Sequence, residues 1–127
     1  MGNLLDILSH FKERKAVVVG DVFLDQYIRG NIERLNPENP AVPLIKAKGI
    51  DYRLGGAANV ARNLVSLGAT CYLFGQIGRD KYGEKITELC AKEGIETCIA
   101  SSSRETIVKQ RIFSDGHYIA RTDFGED

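Results

Sequence analysis

Arg53-Leu54-Gly55-Gly56-Ala57-Ala58-Asn59-Val60-Ala61-Arg62-Asn63-Leu64-Val65-Ser66-Leu67-Gly68 is the stretch around which the rest of the chain is organised. Two adjacent glycines lead into small residues and then into apolar residues at helical spacing. The segment reads as a glycine turn opening a helix that Gly68 caps. Val60, Leu64 and Leu67 fall on one face, with Ala57 and Ala61 beside them. Without Cβ atoms at Gly55 and Gly56, a ligand can lie against the backbone N–H groups. The helix start adds unpaired donors and the positive end of its dipole. A tight strand-to-helix connection that binds nothing would use the same residues.

Upstream, Ala16-Val17-Val18-Val19-Gly20 is a continuous β-branched run, as expected of a parallel strand buried on both faces. Asp21 and Asp25 follow at the C-terminal end of that strand, where open α/β sheets bind ligands. A carboxylate there can accept hydrogen bonds from sugar hydroxyls, help to hold a metal, or merely cap a turn. Leu4, Leu5, Ile7, Leu8 and Phe11 predict a short amphipathic helix over 3–13, packed on something else. Residues 27–52 hold all three prolines and only short alternating runs. They predict short antiparallel strands outside the main sheet, a flap or a plain edge hairpin, with 36–40 as a rigid loop.

Downstream, Thr70–Gly78 reads as a second buried strand. A helix follows from Asp80 to the cap at Gly94, with Ile86, Leu89 and Cys90 inside, and then a third strand over 95–100. Strand, helix, strand, helix, strand is the grammar of right-handed crossovers in a parallel sheet. Ser101-Ser102-Ser103 reads as a polar link, and Ser114-Asp115-Gly116 as a hairpin turn between runs 106–113 and 117–121. Lys109 and Arg111 share one face of the first run. Such a pair can flank an anion such as a phosphate, or be the wet face of an edge strand. The last four residues offer neither a cap nor a closing strand, so the chain is expected to be cut from a longer domain.

The 127 residues make one domain at most, and 17 basic against 17 acidic residues leave no bulk charge for nucleic acid. No run approaches the roughly 18 apolar residues that span a bilayer, and Asp6 and His10 break up any secretion signal. Cys71, Cys90 and Cys98 lack metal spacing and suit reduced, mostly buried thiols, so a cytoplasmic protein without membrane contact is expected. His10 and His117 lack ligand spacing, and there is no Walker loop, zinc pair or Gly-x-Ser-x-Gly elbow. No metal site and no catalytic residue are expected within the chain.

The order of these pieces resembles the ribokinase-like, or PfkB, carbohydrate kinases. The resemblance rests on Gly55, Gly56, Ala57, Asn59, Ala61, Gly68 and Gly78 at the family's spacing, and on Gly20 to Asp25 as its first strand. It implies that residues 1–127 are the N-terminal part of one kinase domain of α/β class. The implied fold is a three-layer α/β/α, Rossmann-like one with a small β lid near 27–52 and 106–121. It further implies a sugar contact at Asp25 with Asp21 close by, a site completed by Gly55, Gly56 and Asn59, and a homodimer clasped through the lid. Gly-Asp-Val-Phe-Leu-Asp-Gln-Tyr, Arg34-Leu35-Asn36-Pro37-Glu38-Asn39-Pro40 and Thr106-x-x-Lys109-x-Arg111 are most similar to the members that act on heptose 7-phosphate. Those enzymes phosphorylate its anomeric hydroxyl on the path to ADP-heptose and lipopolysaccharide core. A phosphorylated substrate would give Lys109 and Arg111 a role, with Arg34 able to join them.

The family's second signature, Gly-x-Gly-Asp, is absent from these residues. In the family its aspartate is the general base and its glycine turn stabilises the transferred phosphoryl. The resemblance therefore implies ATP and Mg²⁺ held mainly by a C-terminal part, and a chain inactive by itself. A non-catalytic sugar-binding or dimerisation module, or a kinase for ribose, fructose or a fructose phosphate, fits the broad signature too. A dinucleotide-binding half is disfavoured because Gly-x-Gly-x-x-Gly does not follow the first strand.

Overall fold

The computed structural model of the chain describes residues 3–126. Its elements in order are α1 (Leu4–Ser9), a 3₁₀ turn (Phe11–Glu13), β1 (Lys15–Val19), β2 (Val22–Ile32), β3 (Ile45–Gly56), α2 (Ala57–Ser66), β4 (Thr70–Gly78), α3 (Lys81–Lys92), β5 (Glu96–Ser102), β6 (Ile107–Ser114) and β7 (His117–Phe124). Two sheets result. Parallel strands in the order β1-β4-β5 form the first, and β3-β2-β6-β7 form the second. In the second sheet β2 pairs antiparallel with β3 and parallel with β6, while β6 and β7 form the hairpin expected at Asp115-Gly116. Both hairpin residues have positive φ, 49° at Asp115 and 82° at Gly116, as the tight turn demands.

The second sheet is built from the segments expected to form the lid, and it differs from expectation in length. The sequence predicts short strands over 27–52, whereas β2 and β3 are long and run back to Val22 and forward to Gly56. Asp25 therefore sits inside a lid strand rather than in a turn after β1. All three prolines lie in the connection 33–44, away from the ladder. At the other end β7 carries the expected run 117–121 on to Phe124, which pairs with Val108. β5 likewise continues through Ser102 and absorbs most of the supposed polar link.

One apolar cluster joins both sheets. Cys71 and Leu73 of β4 meet Ala58 and Ala61 of α2, Ile86 and Cys90 of α3, and Val22, Leu24, Leu54 and Val108 of the lid. Tight turns frame it: Gly68 (φ 101°) and Gly94 (φ 74°) end the two helices as the sequence indicates. Two readings change. Val60 and Leu67 are exposed, and α2 instead buries its small face of Ala58 and Ala61, because the backbone runs close to β4 there. Val17 and Val19 of β1 are also exposed, at 65% and 76%. The helices α2 and α3 cover one face of the parallel sheet, and no described helix covers the other. The described residues thus supply two of the three layers of the expected fold, as its N-terminal part. The apolar side chains of α1 are exposed as well, so the surface it was expected to pack on is not among them.

Candidate functional site

Alternation along β2 divides the lid into two faces. Val22, Leu24 and Gln26 point to the core, and Phe23, Asp25 and Tyr27 to the outer face. Register carries the outer face across the sheet: Asp25 stands beside Arg53 on β3 and Lys109 on β6, and Tyr27 beside Asp51 and Arg111. Arg111 donates to the Asp25 carboxylate, a pair whose side chains are only 23% and 16% exposed. The bond to Asp25 holds the Arg111 guanidinium above its ordinary pKa. Lys109 places its Nζ 2.7 Å from Glu126 Oε1 and 4.6 Å from the centre of the Phe23 ring. Since β6 lies between β2 and β7, these cations are not the wet face of an edge strand.

The glycine pair has a second occupant. A Cβ at Gly55 would overlap the Phe23 ring and come within 3.0 Å of Asp25 Oδ2. Gly56 (φ 59°) turns the chain from β3 into α2, and a Cβ there would meet the same ring at 2.7 Å. The bare backbone expected to receive a ligand directly is thus partly covered by Phe23. Asp25 lies at the rim of that contact. Ala57 N–H donates to the Asp21 carbonyl at 2.9 Å, which ties the entry to β2 to the start of α2. Asp21 itself is exposed on a cleft of about 120 Å³ shared with Gln76, Ser102 and Arg104 at the C-terminal ends of β4 and β5. Asn59 is half-buried in the first turn of α2.

The structure brings Asp25, Lys109, Arg111 and Gly55 together and leaves Arg34 apart. Arg34 follows the far end of β2, in a separate hollow with Leu44 and Lys46. Nine residues of chain, roughly 30 Å if extended, separate it from Asp25. Sequence reasoning missed Arg53. Its guanidinium lies 4.9 Å from the centre of the Tyr27 ring, which Arg111 (5.5 Å) and Arg29 (5.7 Å) also approach. It also missed the partly buried chain Gln110 → Gln26 → Tyr52, with donor–acceptor distances of 2.8 and 3.2 Å, within the same strands. Only strand register could have found these, since the partners are distant in sequence.

Among the described residues no three His, Cys, Asp or Glu side chains are grouped to hold a metal. Cys71 and Cys90 are buried, and burial pushes the Cys90 thiol up to about 11, so it is an inert packing group. Cys98 is exposed. No described helix is long and apolar enough to cross a membrane.

Residues 13–124 match the family model described as pfkB family carbohydrate kinase. The bifunctional protein HldE of Actinobacillus pleuropneumoniae is 42% identical over 124 residues, which is 97% of this chain and 26% of that protein. The D-beta-D-heptose 7-phosphate kinase of Bordetella bronchiseptica is 41% identical over 111 residues, 87% of this chain and 35% of the kinase. The chain thus spans about a quarter to a third of the length of these relatives. Among solved structures, a carbohydrate kinase from Agrobacterium tumefaciens superposes with a TM-score of 0.70 at 26% identity, over 87% of this chain and 35% of that one. A ribokinase from Thermotoga maritima gives 0.63 at 23% identity, over 87% and 36%, and supports the ribokinase-like fold alone.

Proposed function

This chain belongs to the pfkB family of carbohydrate kinases, and we propose that it forms the sugar-binding part of an ATP-dependent kinase acting on heptose 7-phosphate. The observation that carries the reading is the meeting of Asp25, Lys109 and Arg111 on one face of the lid. An ionised carboxylate only accepts hydrogen bonds, which suits it to orient sugar hydroxyls. A guanidinium and an ammonium two residues apart suit the phosphate the sugar already carries. In this structure Arg111 and Lys109 are neutralised by Asp25 and Glu126. Binding the sugar phosphate would exchange those carboxylates for phosphate oxygens and free Asp25 for hydroxyls. Phe23 against Gly55 and Gly56 would set the depth to which the sugar enters. In this reading Asp21 and Asn59 would complete the sugar site from the β1 and α2 sides.

ATP supplies the transferred phosphoryl group in this reading. The base that deprotonates the anomeric hydroxyl, the nucleotide pocket and any Mg²⁺ ligands belong to parts of the kinase outside these residues. The product would enter the route to ADP-heptose and lipopolysaccharide core, in the cytoplasm. The open edges of β3 and β7 would let a second copy extend the lid sheet into a homodimer.

The test uses the full-length kinase with ATP and a panel of heptose 7-phosphate, ribose, fructose and fructose 6-phosphate. Turnover is expected to favour heptose 7-phosphate. Asp25→Ala is expected to weaken sugar binding by about 1–3 kcal/mol, the cost of losing hydrogen bonds to a charged acceptor. Preference for another sugar would overturn the substrate. Sugar binding without any turnover would leave a binding module instead of a kinase.

A further inference from the structure

The parallel sheet and the lid meet at a junction that the sugar site does not use. Asp80 is the N-cap of α3: its Oδ1 accepts from Tyr82 N–H at 3.0 Å and Gly83 N–H at 2.9 Å. An N-cap needs no more than that. Its other oxygen, Oδ2, accepts from Thr106 N–H at 2.8 Å, at the residue just before β6. The Thr106 hydroxyl in turn accepts from Gly78 N–H at 2.9 Å, at the last residue of β4, and Thr106 is only 2% exposed. A Cβ on Gly78 would lie 2.5 Å from Arg104 O and 2.6 Å from Thr106 N, and one on Gly83 would run into Gly78 O. Three chain segments therefore close on one carboxylate and one hydroxyl, with no room for added atoms. Three residues beyond Thr106 stands Lys109, and five beyond it Arg111.

We propose that Asp80, acting through Thr106, is a positioning residue that locks the root of β6 to the parallel sheet and so holds Lys109 and Arg111 in place for the sugar phosphate. The functional half of this inference rests on the reading above. A plain helix cap predicts something different. Serine caps helices as well as aspartate does, so Asp80→Ser keeps the cap but cannot reach Thr106 N–H with a second oxygen. Thr106→Val removes the acceptor for Gly78 N–H at nearly constant volume, and Thr106→Ser keeps it.

The experiment uses the full-length kinase and two readouts: amide hydrogen exchange, and separate affinities for heptose 7-phosphate and for ATP. Asp80→Ser and Thr106→Val are expected to speed exchange across 107–124 while β1 and β4 up to Ile77 stay protected. They are expected to weaken heptose 7-phosphate binding about tenfold and leave ATP binding unchanged, with Thr106→Ser restoring the wild-type values. Unchanged exchange in 107–124, or equal losses for both ligands, would overturn the lock. Should the wild type bind no heptose 7-phosphate, the substrate reading fails, and the exchange pattern alone decides whether Asp80 locks the lid.

Discussion

The two sheets of this molecule use their faces differently. The parallel sheet carries apolar residues on both sides but buries only one, leaving Val17, Val19 and Phe74 exposed. The lid buries Val22, Leu24, Leu54 and Val108 on its inner face, and fills its outer face with ion pairs and rings. A continuous apolar run therefore states what a strand can bury, not what covers it. Alternating burial shows which face of a strand is available for chemistry, and the candidate site lies on the sheet whose burial alternates.

Core truncation should separate the two sheets most sharply. Leu24→Ala removes a fully buried side chain from the lid's inner face and should destabilise the fold by about 2–5 kcal/mol. Val17→Ala on the bare face should change stability by no more than about 0.5 kcal/mol. Chemical denaturation of both variants checks the contrast. Comparable losses would mean that the outer face of β1 is covered in solution.

Next in size is Gly55→Ala. Its methyl group would overlap the Phe23 ring, at a cost of about 1–3 kcal/mol, whereas Gly49→Ala on the same strand meets nothing within 4 Å and should be nearly silent. Thermal unfolding of the pair sharpens the claim that the glycines seat Phe23.

Acid distinguishes the junction from the surface. Burial raises the pKa of Asp80, but the bonds donated by Thr106, Gly83 and Tyr82 outweigh it and hold the carboxyl below its ordinary 3.8. The folded state thus binds this proton more weakly than the unfolded one. The stabilisation is full above the ordinary value and fades as pH falls through the lower, folded value. Melting curves of the wild type and Asp80→Asn should differ most near neutral pH and converge only as pH falls below the ordinary 3.8 through the lower, folded value. The smallest effect belongs to Arg29 and Asp51, a pair whose side chains are half exposed. Arg29→Ala should cost less than about 1 kcal/mol and less still in high salt.

Much of this was legible beforehand, for identifiable reasons. Gly68, Gly94 and Asp115-Gly116 occupy positions where positive φ is needed, so the helix ends and the hairpin followed from local chemistry. The lid's long strands did not. In Val22–Ile32 the buried Gln26 and the outward Phe23 and Tyr27 blur the apolar alternation that marks a strand. Lys109 and Arg111 were visible by their period of two. Of their partners, Asp25 is placed by the register of β2 against β6 and Glu126 by the chain just past the end of β7. Arg34 shows the converse error: a cation near the site in motif order lies at the opposite end of a long ribbon.

The central claim is that the outer face of the lid receives the phosphate of a sugar phosphate. Calorimetric titration of the full-length kinase with heptose 7-phosphate and with unphosphorylated heptose tests it most directly, in the wild type and in the double variant Lys109→Ala and Arg111→Ala. Tighter binding of the phosphorylated sugar, with the preference lost in the double variant, is the predicted result. Equal affinities in the wild type, or a preference that survives both substitutions, would contradict it.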